Sequence, residues 1–206
     1  MNPLEWVHER SVFPRRIRVL SRWLAGLLPA QAQVLDVGCG DGALAHLLTQ
    51  QRRDLTVEGI DTRMPPRAPV RVAAFDGRTI PYKDRSVDVV TFMDSLHHAQ
   101  DPLILLREAA RVTRQGIVVK DHLEDGWLAG PTLRFMDWVG NARHGVALPY
   151  RYWSRRKWLE AFEQLGLEVV TWRTDLHLYP WPATLVFDRS LHFLAELRPH
   201  PQLPRG

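Results

Sequence analysis

The chain has 206 residues, of which 45% are hydrophobic and 24% charged, which is typical of a soluble globular protein with room for one α/β domain. Its single cysteine, Cys39, excludes a disulfide framework and any cysteine-rich metal or iron–sulfur site. The net charge of +4 is compatible with an anionic substrate or surface but does not require one.

The first predicted element is a helix that ends at Pro29. Apolar residues recur in it at helical spacing, at Ile17, Leu20, Trp23, Leu24, Leu27 and Leu28, and its arginines lie mostly on the other side. We predict that residues 1–29 form a helical cap on a sheet, with a basic lid or a membrane-surface contact as the alternative. The apolar run is interrupted by Arg22 and is too short for a signal peptide or a membrane span, so we expect a cytoplasmic protein.

Residues 34–42 read Val-Leu-Asp-Val-Gly-Cys-Gly-Asp-Gly and carry most of the functional information. The apolar run around Asp36 predicts a buried parallel strand. The glycines that follow allow a turn with positive φ and a close approach of the backbone to a ligand. Asp41 is placed to cap a helix over residues 42–51, whose first amides face the same crevice.

Two classes of cofactor use such a loop. Residues 38–43 satisfy the dinucleotide pattern G-x-G-x-x-G/A, and Asp61 follows at a suitable distance. Asp36, however, would repel a pyrophosphate and attract a cationic amino-acid tail, and the chain has no Tyr-x-x-x-Lys pair. The segment from Asp36 to Gly42 therefore resembles motif I of the class I S-adenosylmethionine (SAM) methyltransferases. This resemblance implies SAM as the cofactor and S-adenosylhomocysteine as the product.

Strands and helices alternate along the rest of the chain. Strands are predicted over residues 55–61, 70–75, 86–93 and 117–120, with a helix that begins at Asp101-Pro102 and closes at Gln115-Gly116. A helix over 154–165 and a strand over 167–172 follow. The seventh strand is predicted over 183–187, or 183–193, as an antiparallel edge strand, with a terminal helix as the alternative.

Alternation with short connections predicts a single doubly wound α/β domain with a Rossmann-like, mostly parallel, seven-stranded sheet over residues 1–198. The resemblance covers about residues 30–121. Residues 123–153 are predicted to be an insertion that forms the acceptor site, and residues 199–206 a disordered tail.

The resemblance also implies roles for single residues. Asp36 orients the loop, Asp61 accepts the ribose hydroxyls, Asp76 lies near the adenine, and Asp94 lies beside the sulfonium. The cofactor-binding set that follows is Asp36, Gly38, Cys39, Gly40, Asp61, Thr62, Asp76, Gly77 and Asp94. The alternatives are a helix cap for Asp61, a turn aspartate for Asp76 and a solvent-facing acid for Asp94.

Four residues are candidates for the acceptor side. Leu-His-His at 96–98, after strand four, resembles the small-molecule type of this family, so His97 or His98 is either a base or a support for the loop. Asp121 and His122 follow strand five, and His122 is the preferred base or acceptor-binding group, with a loop hydrogen bond as the alternative. No metal site is predicted.

The insertion at 123–153 is rich in aromatic residues interleaved with polar ones, namely Trp127, Phe135, Met136, Trp138, Tyr150, Tyr152 and Trp153 with Arg134, Asn141, Arg143, His144 and Arg151. This composition predicts a pocket for an apolar or aromatic ligand, or else a second small core. Nucleic acid is disfavoured because no Asn-Pro-Pro-Tyr motif follows strand four. We therefore expect methyl transfer to an O or C atom of a small aromatic or lipophilic acceptor. An RNA or protein methyltransferase and a non-catalytic SAM-binding subunit remain the alternatives.

Overall fold

The computed structural model of the protein describes residues 8–141 and 150–200. A π-helical turn at His8–Val12 precedes the first α-helix. The helices are α1 (Phe13–Leu27), α2 (Ala43–Gln51), α3 (Pro102–Val112), α4 (Ala129–Asn141), α5 (Arg155–Gln164) and the short α6 (Thr184–Phe187). The strands are β1 (Gln33–Val37), β2 (Thr56–Asp61), β3 (Val72–Ala74), β4 (Val87–Met93), β5 (Thr113–His122), β6 (Leu167–Arg173) and β7 (His192–Pro199).

The seven strands form one sheet in the order β3-β2-β1-β4-β5-β7-β6. The first five strands in this order are parallel, and β7 pairs antiparallel with both β5 and β6. This arrangement confirms the predicted seven-stranded, mostly parallel sheet. None of the helices in the described ranges is long and apolar enough to cross a membrane.

Helices cover both faces of the sheet, as a doubly wound fold requires. Leu35 and Val37 of β1 face a core built with α3 and α5, whereas Val34 faces a second core built with α1 and α2. Successive side chains on a strand point to opposite faces. Asp36 therefore lies on the face of α1 and α2, at the carboxyl end of its strand.

The seventh strand differs from its prediction. Residues 184–187 form the short helix α6, and the strand begins only at His192. It is also an inner strand, because β6 lies outside it. Phe193 and Leu194 are buried on opposite faces of the sheet, so the segment lacks the alternation that marks an edge strand.

The predicted tail begins too early. Pro199 is the last residue of β7, and the backbone N–H of His200 donates to the carbonyl of Gly166. Residues 201–206 lie outside the described part of the chain.

Strand β5 is longer than predicted at both ends. Helix α3 ends at Val112, and β5 begins at once, because the ladder with β4 continues through an irregularity between Val87 and Val89. At the other end, Asp121 and His122 belong to the strand and pair with β7. The ladder with β7 therefore holds these two residues, whereas the ladder with β4 ends at Lys120.

Candidate active site

A cavity of about 850 Å³ opens at the carboxyl ends of β1, β2 and β4. Two groups of residues line this cavity. We call the first the glycine-loop end; it comprises residues 36–41 and 61–66 with Phe75 and Gly77. We call the second the histidine end; it is formed by Arg16, Asp94, His97, His98, His122 and Asp137. Helix α1 closes the cavity with Phe13, Ile17 and Leu20.

The loop after β1 needs glycine for two different reasons. Gly38 has φ +76°, and a Cβ there would lie 2.5 Å from the Cβ of Ser95. Gly40 has φ +57°, but a Cβ there would meet nothing within 4 Å. The first glycine is required by close packing and the second by backbone conformation, with open space beside it for a ligand.

Asp36 and Asp61 are the two acids of the glycine-loop end that the sequence analysis assigned to the cofactor. Asp36 is buried and accepts a hydrogen bond from the Thr91 hydroxyl at 2.8 Å. Burial raises the pKa of its carboxyl to about 6, although the bond from Thr91 opposes the shift. Asp61 accepts the backbone N–H of Gly40 at 2.8 Å and that of Arg63 at 2.9 Å. Asp61 thereby ties the glycine loop to the end of β2.

Asp76 does not lie on the cavity wall. Its carboxylate accepts the backbone N–H groups of Thr79 and Arg78, and these bonds lower its pKa. Its neighbours Phe75 and Gly77 do line the cavity. The structure places Asp76 in the turn beside the site, which is the alternative that the sequence left open.

Asp94 lies on the wall but is already paired. The guanidinium of Arg16 is 2.6 Å from one carboxylate oxygen, and the ammonium of Lys120 donates to the other. Burial alone would raise the pKa of Asp94, but Lys120 and Arg16 hold it well below its usual range. Two cations of the chain therefore compensate the charge of Asp94. It is not a free counter-charge for a sulfonium, and it is not a solvent-facing acid.

Lys120 is the fully buried member of this group. Its Nζ also lies 3.2 Å from Nδ1 of the buried His192 of β7. Burial lowers the pKa of Lys120, although Asp94 opposes the shift. The sequence analysis assigned no role to Lys120, because its partners Asp94 and His192 lie 26 and 72 positions away along the chain.

Asp121 lies beneath the cavity and joins the two catalytic histidine candidates. Its carboxylate is 2.7 Å from Nδ1 of His97, and it accepts the backbone N–H groups of Leu96, His97 and His122. Nδ1 of His122 lies 3.4 Å from the same carboxylate, and its Nε2 lies 3.9 Å from Asp94.

The two histidines differ in their proton affinity. Burial lowers the pKa of His97, but the contact with Asp121 outweighs this effect and raises it to about 10. Burial and the charge of His97 lower the pKa of His122. His122 is thereby favoured in its neutral form.

Asp137 of α4 is a site residue that the sequence analysis missed. It is buried, its carboxylate accepts the hydroxyl of Tyr152, and its Oδ1 lies 3.5 Å from Nε2 of His97. An acid in a predominantly apolar helical stretch was the one available signal. Only the packing of α4 over the strand ends brings it to the histidines.

The predicted aromatic pocket is not formed as expected. In the described part of 123–153, none of the named aromatic residues lines the cavity. Trp127, Phe135 and Trp138 are exposed, and Tyr152 and Trp153 are buried in the cores. The insertion contributes Met136, Asp137 and Val139 instead. Arg143 and His144 lie outside the described residues.

Most of the predicted site residues are nevertheless brought together. All of the predicted cofactor-binding and catalytic residues line the one cavity except Asp76 and Asp121. An open glycine loop, two acids beside it and a histidine end within reach form an arrangement that fits a nucleoside-bearing cofactor with a cationic tail.

Comparisons with known proteins also indicate a methyltransferase. A family model described as a methyltransferase domain matches residues 8–171. The chain is 36% identical over 126 residues to the 27-O-demethylrifamycin SV methyltransferase of Amycolatopsis mediterranei, a match that covers 54% of this chain and 46% of that protein. It is 35% identical over 108 residues to the ubiquinone biosynthesis O-methyltransferase of Paracidovorax citrulli, covering 46% of this chain and 44% of the relative. The chain thus spans less than half the length of these two relatives.

The fold has close structural neighbours. One is the methyltransferase of Haloferax volcanii that was solved in complex with the Trm112 methyltransferase activator. It superposes with a TM-score of 0.67 at 18% identity and covers 97% of this chain and 98% of its own. At such identity the likeness shows the fold alone.

Proposed function

The chain belongs to the class I SAM-dependent methyltransferases, and from this premise we propose that it transfers the methyl group of SAM to an O or C atom of a small aromatic or lipophilic acceptor. The observation that carries the proposal is the single cavity with the glycine loop at one end and the histidines at the other. Such a cavity holds a cofactor and an acceptor side by side, and methyl transfer depends on bringing the two reacting atoms together.

The glycine-loop end fits the cofactor of this family. Bound SAM supplies a methyl group on a sulfonium, which a nucleophilic acceptor atom can take. The open backbone at Gly40 leaves room beside the loop, and the buried Asp36 places an acid below it. Asp61 keeps lone pairs for ribose hydroxyls after accepting its two backbone bonds.

The histidine end lies beside apolar lining residues of two helices. Helices α1 and α4 contribute Phe13, Ile17, Met136 and Val139, and the strands contribute His122. An apolar wall with few polar groups suits an aromatic or lipophilic molecule with one reactive group. The names of the two relatives specify O-methyl transfer, which favours oxygen over carbon.

His122 is the residue that we propose as the base for an acceptor hydroxyl. Its Nδ1 faces Asp121, so a proton on Nδ1 leaves the lone pair of Nε2 to accept the acceptor's proton. Asp121 lies below the wall and acts as a positioning residue, since it also holds Nδ1 of His97. His97 then presents its own Nε2 towards Asp137.

Calorimetric titration with S-adenosylhomocysteine tests the proposal, with NADH as the competing ligand. We expect micromolar binding of S-adenosylhomocysteine and none of NADH. Asp61→Ala should weaken this binding at least tenfold, which corresponds to about 1.4 kcal/mol. Asp76→Ala is the matched control, because its carboxylate is engaged in a turn, and it should stay within threefold of the parent chain.

Each other outcome has a distinct meaning. Binding of NADH, or no binding of S-adenosylhomocysteine, would overturn the proposal. Binding without turnover on any small acceptor would favour a SAM-binding subunit that needs a partner, as the neighbour solved with its activator suggests. Strongly salt-dependent affinity for RNA would favour an RNA methyltransferase.

A further inference from the structure

We propose that His97, His98 and Asp137 form a binding site for a divalent transition-metal ion, with zinc as the reference ion. One ligand atom of each residue lies within 4.8 Å of those of the other two. All three residues line the cavity at its histidine end. The sequence alone predicts no such site, because Asp137 lies far from the histidine pair along the chain.

The histidine atoms at this point are buried and lack partners. Within residues 8–141 and 150–200, Nε2 of His97 and Nδ1 of His98 have no hydrogen-bond partner. His97 is only 2% exposed. Buried polar side-chain atoms normally have a partner, and one left without it costs about 1–3 kcal/mol. An ion bound by these nitrogens removes that cost.

Two other groups of possible ligands lie nearby, and in each of them the carboxylate is already engaged by several donors. In the group of Asp94, His122 and His192, the carboxylate is bound by Arg16 and Lys120. In the group of His97, Asp121 and His122, the carboxylate accepts four donors. In the group with Asp137, two nitrogen atoms without a hydrogen-bond partner lie near a carboxylate of which the Tyr152 hydroxyl engages only Oδ2.

The distance between two of the proposed ligand atoms suits a tetrahedral ion. Nε2 of His97 lies 3.5 Å from Oδ1 of Asp137, which is longer than a good N–H···O hydrogen bond. Two ligands about 2.1 Å from a tetrahedral ion lie roughly 3.4 Å apart. The pair therefore needs almost no movement to share an ion.

Two of the three ligands, His97 and Asp137, are also held in place by a further residue. Asp121 is 2.7 Å from Nδ1 of His97 and keeps a proton on that nitrogen, so an ion would bind at Nε2 in exchange for the second proton of the ring. A histidine that binds a metal usually donates its other N–H to a carboxylate or carbonyl in this way. The hydroxyl of Tyr152 binds Oδ2 of Asp137 and leaves Oδ1 directed at His97.

The donor set indicates the kind of ion. Two imidazoles and one carboxylate suit zinc, iron, cobalt or nickel, whereas magnesium and calcium prefer oxygen ligands. Three protein ligands leave a fourth position open to the cavity. This step rests on the proposed function: an acceptor oxygen could occupy the open position, next to His122. Metal binding itself does not depend on that function.

Titration of the untagged, chelator-treated protein with zinc chloride tests the site. We expect one zinc per chain with micromolar or tighter affinity, and at least hundredfold weaker binding of magnesium. Asp137→Asn and His98→Ala should each weaken zinc binding at least tenfold. His46→Ala is the control and should bind zinc normally, because His46 lies on α2 and contacts Gln50.

Two further measurements distinguish binding at this site from nonspecific binding of zinc elsewhere on the protein. Zinc should raise the melting temperature of the parent chain but not of Asp137→Asn, a variant that preserves the shape of the side chain. Cobalt should give the intense visible absorption of a four-coordinate site. Substoichiometric zinc, or equal affinity in Asp137→Asn and the parent chain, would overturn the proposal. Since S-adenosylhomocysteine binding is measured separately, loss of either result leaves the other interpretable.

Discussion

The two ends of the cavity are built in different ways. At the glycine-loop end, the hydrogen bonds to Asp36 and Asp61 come from a hydroxyl and from backbone amides at or next to the ends of β1, β2 and β4. At the histidine end, α1 supplies Arg16, α4 supplies Asp137 and β5 supplies Lys120. A short motif therefore specifies the first end, whereas the whole fold assembles the second.

The electrostatics of the two ends also differ. Burial raises the pKa of Asp36, whereas two cations within hydrogen-bonding distance lower the pKa of Asp94. The glycine-loop end has an acid that folding disfavours in its charged form, and the histidine end has one that folding favours in its charged form. This contrast can be tested by substitutions at each end.

The largest expected effect is that of Lys120→Met at the histidine end. Leaving a buried charge without any partner costs about 3–5 kcal/mol, and because Asp94 keeps its contact with Arg16 we expect a loss near the lower limit, about 3 kcal/mol. Urea unfolding should show this loss. Arg71→Met, which breaks the exposed pair with Glu58, should cost less than about 1 kcal/mol. Equal small losses in both variants would mean that the buried pair does not hold the histidine end together.

Asp36→Asn tests the acid of the glycine-loop end. The pKa of Asp36 is raised from 3.8 to about 6, so folding favours the protonated carboxyl. This contribution to stability is present below pH 3.8 and is lost as the pH rises through about 6. The asparagine variant cannot ionise, so its stability relative to the parent chain should rise by roughly 2–3 kcal/mol between pH 4 and pH 7.5.

Asp76→Asn is the matched control for this pH dependence. The pKa of Asp76 is lowered by backbone N–H groups, so the sign is opposite. This variant should lose stability relative to the parent chain only as the pH rises towards about 4, and the difference should stay nearly constant from pH 4 to pH 7.5. If urea unfolding showed the same change of stability with pH in Asp36→Asn and Asp76→Asn, the opposite directions assigned to their pKa shifts would be wrong.

Gly38→Ala tests the close packing of the glycine loop. The added Cβ would lie 2.5 Å from that of Ser95 at a positive φ, and strain of this kind costs about 1–3 kcal/mol. S-adenosylhomocysteine affinity should fall at least tenfold. Gly26→Ala in α1 meets nothing within 4 Å and should leave stability unchanged or raise it by up to about 1 kcal/mol. If Gly38→Ala likewise caused no measurable loss of stability, the loop would be able to move away from Ser95.

His122→Ala gives the smallest expected change in free energy. If His122 accepts the acceptor's proton, turnover should fall at least tenfold, or about 1.4 kcal/mol, with little change in S-adenosylhomocysteine affinity. His46→Ala should keep the parent turnover. Unchanged turnover in His122→Ala would remove this residue from the mechanism and leave the histidine end a binding surface.

The fold was predictable because its signals are local. The alternation of apolar runs with helical segments predicts a doubly wound sheet, and the structure has one. The prediction is wrong at the seventh strand, where burial on both faces removes the periodic signal from Phe193 and Leu194. Thr184–Phe187, predicted as strand, forms a helical turn instead.

The sequence by itself determined the glycine-loop end, since its strand, turn and acids lie within a few residues of one another or at the ends of adjacent strands. Only the tertiary structure decided that Asp94 is paired with Arg16 and Lys120, and that Asp137 meets His97. These contacts join residues 26 to 78 positions apart and depend on how α1 and α4 pack over the strand ends. A motif encodes spacing along the chain, whereas a buried cluster of charges depends on the register and packing of distant elements.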